Sequence, residues 1–315
     1  MPRTIRAARL TGLGQPLRLE EIELRDPGPD EVVVELAAAG VNPVDRYTAE
    51  GRVAPDGPLP RTLGIEGAGW ADGVPVTVAS VGGLGASRDG TWAQAIVVPR
   101  DRLVRLEPDV DLHAAASLGV AGITALNVVE LAEITRDDRV LVLGAAGGVG
   151  LPIVSLALAA GARVLGQAGS PGKADAVREF GAEAVVANAD SLADAARDFA
   201  PTVVIDPLGG AFTPAALSIL SQRGRHVLYG VSDGPEATIA LQPVYRASQR
   251  ILGYGGLGLT DAERHTGAQA AAAALADGSL RIRVGKVIAL SDIAEVFDAL
   301  ADRSLAGKLV IDCTR

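Results

Sequence analysis

The stretch Val140-Leu-Val-Leu-Gly-Ala-Ala-Gly-Gly-Val-Gly150, continued by Leu151–Ala160, has the order of a buried strand, a glycine-rich turn and a helix. Its first four residues are apolar, as in a parallel strand that is covered on both faces. Gly144, Gly147 and Gly150 follow at three-residue spacing, and glycine lets the backbone approach a pyrophosphate because it has no Cβ. The N-terminus of the following helix favours phosphate. The stretch therefore predicts a dinucleotide site, and its mid-chain place predicts a preceding domain.

The glycine spacing alone is weak evidence for this site. It is G-x-x-G-x-x-G rather than the commoner G-x-G-x-x-G, and a chain with 38 glycines produces chance matches. A second strand, Arg163-Val-Leu-Gly166, completes a strand–helix–strand unit and favours binding over a glycine turn without a ligand. The candidate cofactor-binding residues of the turn are Gly144, Ala146, Gly147, Gly148, Val149 and Gly150.

The segment after the second strand indicates which dinucleotide binds. An NAD site usually places an acidic residue there for the ribose 2′-hydroxyl. Here Gly166-Gln-Ala-Gly-Ser-Pro-Gly-Lys173 has no acid before Asp175, and Ser170 and Lys173 suit a 2′-phosphate. The alternative is that Lys173 only solvates the start of a helix. The sequence favours NADPH over NADH.

Composition limits the class of protein. The 315 residues, 48% hydrophobic and 21% charged, indicate two globular domains. The net charge of −9 argues against nucleic acid or an anionic membrane as the main partner. The single cysteine, Cys313, excludes a disulfide within the chain and a multi-cysteine metal site. With neither a signal peptide nor a long apolar run, a cytoplasmic protein is expected.

The pattern along the chain predicts an α/β protein. Residues 1–110 alternate as in β-strands, and from Val140 to about Gly253 strands and helices alternate, which predicts a doubly wound parallel sheet. We expect the late strands Lys286–Leu290 and Lys308–Cys313 to rejoin the first part. The other predicted elements that the structure tests are strands Leu17–Leu24, Glu31–Ala38, Val74–Ala79 and Trp92–Val98, loop Ser80–Gly90, helix Leu112–Leu131 capped by Asp111, helix Asp261–Ala276 and helix Ser291–Asp302 capped by Ser291.

Several motifs together resemble those of one family. They are Gly40-Val-Asn-Pro-Val-Asp-Arg-Tyr47 with Gly51, Ala121-Gly-Ile-Thr-Ala125, Gly144–Gly150, Gly166–Gly181, Asp206-Pro-Leu-Gly-Gly210, Gly253-Tyr-Gly-Gly256 and Ala306-Gly-Lys-Leu-Val310. In this order they resemble the zinc-free, quinone oxidoreductase (zeta-crystallin-like) branch of the medium-chain dehydrogenases/reductases. The resemblance implies a GroES-like catalytic domain at 1–118, completed by 254–315, and a Rossmann domain at 119–253. It also implies an active site in the cleft between them, and a homodimer formed through Rossmann edge strands. Thr238–Gln242 is the candidate edge.

Some segments depart from the family pattern. Gly64–Pro75 is shorter than usual, which suggests a missing hairpin, and Asn188 replaces a tyrosine that packs on the adenosine phosphate in some relatives. Val81–Gly90 looks more like the enoyl-thioester reductases of the superfamily. Asn42 and Ile65 stand where the zinc enzymes have cysteine and histidine, so no metal is expected. The three histidines, at positions 113, 226 and 265, are expected to be ordinary surface or strand-end residues.

Reduction without a metal requires hydrogen-bond donors at the acceptor oxygen. Tyr47 and Asn42 are the candidates; their alternatives are a packing aromatic and a turn residue before Pro43. Asp45 is expected to brace the loop. By resemblance, Thr124 lies beside the nicotinamide, unless its hydroxyl bonds back into its own helix. The resemblance adds Gly230, Val231, Gly255, Gly256, Leu257 and Lys308 as cofactor-binding residues, with a surface position as the alternative for Lys308.

The leading functional hypothesis is an NADPH-dependent reductase that transfers hydride to a quinone or an α,β-unsaturated carbonyl without zinc. One alternative is an enoyl-thioester reductase, for which Arg88, Arg246 and Arg250 could bind the carrier. The other is a non-catalytic NADPH-binding protein. A small-molecule substrate is the expected partner in the first two cases.

Overall fold

The computed structural model describes residues 3–79 and 82–315. Met1, Pro2, Ser80 and Val81 lie outside the described residues, so the predicted loop Ser80–Gly90 is described only from Gly82. The chain forms two units. Unit 1 contains Met1–Ile123, Leu259–Gly278 and Ile282–Arg315, and unit 2 contains Thr124–Gly258 and Ser279–Arg281.

Strands and helices are numbered in chain order. The strands are β1 (Arg3–Leu10), β2 (Arg18–Leu24), β3 (Glu31–Val41), β4 (Arg61–Thr62), β5 (Gly67–Ala71), β6 (Val74–Val78), β7 (Ala95–Pro99), β8 (Val104–Arg105), β9 (Arg139–Val142), β10 (Arg163–Ala168), β11 (Glu183–Val186), β12 (Val203–Asp206), β13 (Arg225–Leu228), β14 (Arg250–Gly253), β15 (Val284–Ala289) and β16 (Lys308–Asp312). The α-helices are α1 (Pro43–Ala49), α2 (Leu112–Ala115), α3 (Ile123–Leu131), α4 (Gly150–Ala159), α5 (Pro171–Glu179), α6 (Ala189–Ala196), α7 (Phe212–Ile219), α8 (Leu241–Arg246), α9 (Asp261–Ala276) and α10 (Val296–Ala301).

Unit 1 is built on two sheets. One has the strand order β2-β1-β4; the other has the order β15-β16-β3-β5-β6-β8, with β7 also paired to β3. Alternating inward side chains of β3, such as Val32, Val34 and Leu36, pack with apolar residues of β16 into one core. The prediction that the late strands rejoin the first part of the chain is thus confirmed, because β16 pairs antiparallel with β3.

The shortened segment Gly64–Pro75 contains a tight hairpin. Strands β5 and β6 pair antiparallel, and two residues, Asp72 and Gly73, connect them. Both residues have positive φ, of 50° and 76°. Such a two-residue connection with positive φ at both positions matches the twist of the paired strands, and Asp-Gly is a preferred sequence for it.

Two predicted helices have the wrong form. The segment Leu112–Leu131 is not one helix, because a π-helical turn at Leu118–Gly122 separates α2 from α3. In this turn the N–H of Val120 donates to the carboxylate of Glu66. Asp111 does cap α2, since its Oδ1 accepts a hydrogen bond from the N–H of His113 at 2.9 Å. Residues 290–295 form a 3-10 helix that is kinked at Asp292 before α10, and Ser291 does not cap it.

Unit 2 contains a six-stranded parallel sheet of order β11-β10-β9-β12-β13-β14. This order reverses between β9 and β12, which is the topological switch point where ligands bind in such sheets. Buried residues on one face, including Leu141, Leu165 and Val204, pack against α6 and α7. The predicted edge strand Thr238–Gln242 is wrong. The edges of the sheet are β11 and β14, and Leu241 and Gln242 begin α8, where the missing N–H of Pro243 is tolerated in the first turn.

Candidate active site

The glycine turn follows β9 at the switch point of the unit 2 sheet. The backbone N–H groups of Ala146, Gly148 and Val149 have no hydrogen-bond acceptor in the described part of the chain. A Cβ at Gly150 would lie 2.6 Å from the carbonyl oxygens of Gly144 and Ala145, so α4 begins against the turn itself. Free N–H groups beside a helix N-terminus suit a pyrophosphate. The turn therefore fits a dinucleotide on its geometry.

A residue that the sequence analysis missed holds this turn. Gln167 is buried on β10; its Oε1 accepts the N–H of Gly144 at 2.9 Å, and its Nε2 donates to the carbonyl of Ala187 at 2.6 Å. One side chain thus ties the turn to the ends of two neighbouring strands. The only sequence signal for it is a polar residue within a strand that is buried on both faces.

The ends of β10 and α5 carry the two residues assigned to a 2′-phosphate. Ser170 occupies the N-cap position of α5, but its hydroxyl caps no backbone N–H. Lys173 lies in the first turn and is partly exposed. A Cβ at Gly169 or Gly172 would meet nothing within 4 Å, so the space around this helix N-terminus is open. The site can accept an anion from the solvent side.

The loops after β13 and β14 carry the remaining cofactor candidates of unit 2. Val231 is 53% exposed and Leu257 is 71% exposed, at the carboxyl edge of the same sheet as the glycine turn. A Cβ at Gly230 would lie 2.7 Å from the carbonyl oxygen of Pro207, so this glycine permits a close approach of two loops. Gly255 and Gly256 precede Leu257 in an exposed or partly exposed segment.

His226 differs from its predicted surface or strand-end role. It is fully buried on β13, and its Nε2 lies 3.0 Å from Oδ2 of Asp206, which also accepts a hydrogen bond from the Thr213 hydroxyl at 2.8 Å. Burial raises the pKa of Asp206, but the hydrogen bonds from His226 and its other donors outweigh this and hold that pKa below its usual value. The ionised carboxylate anchors the Pro207–Gly210 loop through the N–H groups of Leu208 and Gly209.

In unit 1, Asn42 lies in a buried polar cluster with Glu66 and Lys308. Its Nδ2 donates to Oε1 of Glu66 at 2.7 Å, and its Oδ1 accepts from Nζ of Lys308 at 2.7 Å. All three residues are at most 4% exposed. Lys308 is therefore not a surface residue, and Asn42 is more than a turn residue before Pro43. Glu66 is a functional residue that the sequence analysis missed, because nothing in the sequence places it beside Asn42 and Lys308.

Asp45 lies in the first turn of α1 and is also buried. Its Oδ2 accepts the backbone N–H of Asn42 at 2.8 Å, which braces the start of α1 as expected for this residue. Its Oδ1 has no hydrogen-bond partner among the described residues. Burial, assisted by the charge of Glu66, raises the pKa of Asp45 to about 7, despite the opposing hydrogen bond from Asn42 and the charge of Lys308.

The hydroxyl groups of Tyr47 and Thr124 make no hydrogen bond to any described residue. Tyr47 is 37% exposed on α1, and the guanidinium of Arg52 lies 4.2 Å from its ring centroid. Thr124 lies in the first turn of α3 in unit 2, and its hydroxyl does not bond back into the helix. Both hydroxyls are thus available to an external partner.

The residues present do not form a zinc site. Asn42 offers a weak neutral ligand and Ile65 none, and the Lys308 ammonium bonds to Asn42 and Glu66. Across residues 3–79 and 82–315, no group of three or more His, Cys, Asp or Glu side chains is arranged to hold a metal. In the same ranges, no helix has the length and apolar character needed to cross a membrane.

Comparisons with known proteins agree with this architecture. Residues 28–108 match the alcohol dehydrogenase GroES-like domain, and residues 148–273 match the zinc-binding dehydrogenase family. The quinone oxidoreductase-like protein 2 of Mus musculus is 34% identical over 248 residues, which cover 75% of this chain and 71% of the mouse protein. The quinone oxidoreductase of Pseudomonas aeruginosa is 29% identical over 311 residues, covering 93% and 95% of the two chains.

A much longer protein is also related. The mycocerosic acid synthase-like polyketide synthase of Mycolicibacterium smegmatis is 32% identical over 228 residues, which cover 69% of this chain but 11% of the synthase. Among solved structures, an NAD-dependent alcohol dehydrogenase has a TM-score of 0.88 at 27% identity, over 98% and 99% of the chains. A mycobacterial protein complexed with NADPH has a TM-score of 0.82 at 25% identity, also over 98% and 99%.

Fold and matches together define an oxidoreductase with a GroES-like domain and a Rossmann domain that binds a nicotinamide dinucleotide. More narrowly, the chain belongs to the quinone oxidoreductase family of the medium-chain dehydrogenases/reductases. The predicted fold class and family are thus confirmed. The name of the matched family includes zinc binding. In residues 3–79 and 82–315 of this chain, however, no set of side chains is arranged to hold zinc.

Proposed function

We propose that this protein is an NADPH-dependent oxidoreductase that transfers hydride to a quinone or an α,β-unsaturated carbonyl without zinc. The observation that carries the proposal is that the chain has both a glycine turn with unpartnered N–H groups and, in unit 1, a polar cluster that offers hydrogen-bond donors rather than metal ligands. When bound, NADPH supplies the hydride from its nicotinamide ring. The negative charge then left on the acceptor oxygen needs a donor and a proton.

The chain's own residues meet this need as follows. The N–H groups of the glycine turn bind the pyrophosphate, and Gly230, Val231 and Gly255–Leu257 line the nicotinamide half of the dinucleotide. Thr124 places a hydroxyl beside the ring. Asn42 carries a second amide N–H besides the one that it donates to Glu66, and the Tyr47 phenol carries an O–H, so these two side chains are the donors that we assign to the acceptor oxygen.

The test is NADPH oxidation, followed by the nicotinamide absorbance, with an ortho-quinone, an enone and a short enoyl thioester offered in parallel. Turnover of quinone or enone that survives a metal chelator supports the proposal. Turnover that the chelator abolishes would overturn its zinc-free part. Bound NADPH that no acceptor oxidises would favour the non-catalytic alternative.

Enoyl-thioester reduction is the second candidate function. The similarity to a segment of a polyketide synthase favours it, because such synthases carry their acyl chains as thioesters. The arginines considered for the carrier differ in availability: Arg88 and Arg246 are exposed, whereas Arg250 pairs with Glu133 at 2.7 Å. Turnover of the thioester alone would select this function. We also propose a homodimer and a cytoplasmic location.

Lys173→Ala should weaken the binding of NADPH by about 1–3 kcal/mol, since it removes a charge-assisted contact to the 2′-phosphate. NADH lacks that phosphate, so its affinity should change little. Titration of both cofactors by fluorescence measures the difference, with the exposed Lys286→Ala as a control. Equal losses for the two cofactors would remove Lys173 from the phosphate site.

Tyr47→Phe should lower turnover of an enone more than turnover of a quinone. Quinones accept hydride readily, whereas an enone depends more on a donor at its oxygen, which contributes about a hundredfold to a thousandfold in rate. Steady-state kinetics with both acceptors checks this. Unchanged kcat with both would return Tyr47 to a packing role against Arg52.

A further inference from the structure

The ammonium of Lys308 is a buried cation with every N–H bond in use. It donates to the carbonyl of Val41 at 3.1 Å, to Oδ1 of Asn42 at 2.7 Å and to Oε1 of Glu66 at 3.1 Å. An ammonium has three donors, so these three acceptors saturate it within unit 1. No N–H of Lys308 remains for a cofactor phosphate in this arrangement.

The two charged neighbours fix the orientation of the Asn42 amide. Lysine only donates and an ionised carboxylate only accepts, so the amide oxygen must face Lys308 and the NH₂ group must face Glu66. A flip would put two donors and two acceptors in contact. The Asn42 amide is therefore held in one orientation, with its second N–H at a fixed place.

Glu66 is held just as firmly. Its Oε2 accepts the N–H of Val120 at 2.7 Å in the π-helical turn, and the Thr91 hydroxyl donates to its backbone carbonyl at 2.7 Å. A Cβ at Gly40 would lie 2.4 Å from Oε1 of Glu66, so glycine is required there for the carboxylate to fit. This fully buried carboxylate depends on Lys308 for its counter-charge.

We propose that Lys308 is a positioning residue, a built-in cation that fixes the donor orientation of Asn42 rather than a ligand of the cofactor. The inference rests on the proposed function, in which Asn42 donates to the acceptor oxygen. Lys308→Met should lower kcat roughly tenfold or more, as the loss of an orienting partner does, and leave the Kd of NADPH within about twofold. Lys286→Met, the same change at an exposed residue of β15, should alter neither.

A double variant distinguishes the role of Lys308 in balancing the charge of Glu66 from its role in positioning Asn42. Lys308→Met and Glu66→Gln alone each leave a buried charge unpaired, so each should lower the urea midpoint of unfolding. In the double variant the midpoint should return most of the way to the wild-type value. Its kcat should stay low, because nothing then dictates the orientation of the Asn42 amide. Recovery of kcat together with stability would overturn the proposal, as would a raised Kd of NADPH at unchanged kcat. If Lys308→Met does not fold, the double variant carries the same test.

A readout independent of turnover distinguishes this inference from the proposed function. The side-chain amide protons of Asn42, assigned by their loss in Asn42→Ala, should exchange slowly with solvent in the wild type. They should exchange faster in Lys308→Met and unchanged in Lys286→Met. Equal exchange in all three would overturn the positioning role. Wild-type protein that reduces none of the three acceptors would refute the proposed function and leave this result standing.

Discussion

Gly150→Ala should destabilise the protein and weaken its binding of NADPH together. The added Cβ would lie 2.6 Å from two backbone carbonyl oxygens, those of Gly144 and Ala145, and backbone cannot move aside as a flexible side chain can. The start of α4 must then shift away from the turn. Overpacking of this kind costs about 1–3 kcal/mol of folding free energy. The displaced N–H groups should lower NADPH affinity at least about tenfold, or roughly 1.4 kcal/mol.

Urea unfolding and cofactor titration measure the two effects on the same sample. Gly172→Ala is the matched control for the stability measurement, because its Cβ would meet nothing within 4 Å and the residue lies in the first turn of α5. That variant should be as stable as the wild type or slightly more so, since alanine loses less conformational entropy in a helix. A Gly150→Ala protein with wild-type affinity would mean that the turn does not bind the pyrophosphate.

Asp45→Asn should change how stability depends on pH. The pKa of Asp45 is raised to about 7 by burial and by Glu66, against a value of about 3.9 in an unfolded chain. Between those values the folded state keeps a proton that the unfolded state releases. The wild type is therefore stabilised below the lower value, loses that stability as the pH rises to about 7, and changes no further above it. The loss should be on the order of 2–4 kcal/mol.

The asparagine variant lacks this titration and keeps an oxygen to accept the N–H of Asn42. The free energy of unfolding of the two proteins, measured in urea from about pH 5 to about pH 8, should diverge in favour of the variant as the pH rises. The exposed Asp109→Asn should run parallel to the wild type. Parallel curves for Asp45→Asn as well would mean that this carboxyl is ionised in the fold at all these pH values.

The glycine turn and the parallel sheet could be predicted because their signals are local. A strand, a turn and a helix occupy about twenty consecutive residues, and apolar runs between turns repeat the pattern through unit 2. The edge strand was misplaced because a local signal can also mislead. Thr238–Gln242 alternates like a strand, but β14 forms the edge even though its residues are mostly exposed and its apolar signal is short.

The polar cluster of unit 1 could be predicted from the sequence only in part. Asn42 and Lys308 were found through motifs, yet nothing in the sequence shows that they touch each other or Glu66, which lies 242 residues before Lys308. The buried pair of His226 and Asp206 has the same origin, because β12 and β13 bring the two together. Such contacts are set by strand pairing and not by spacing along the chain. The π-helical turn likewise makes a contact that is distant in sequence, because the N–H of Val120 donates to the carboxylate of Glu66.

The position of β16 between β15 and β3 has a consequence for synthesis on the ribosome. Unit 2 comes almost entirely from one continuous stretch, so its sheet can form while later residues are still being added. Unit 1 cannot complete its folding at that stage, because the carboxylate of Glu66 gains its counter-charge only after Lys308 has been synthesised. Until then the edge of β3 that β16 will cover is unpaired. Nascent chains of this protein should therefore be most exposed to misassembly after the nucleotide-binding half is complete.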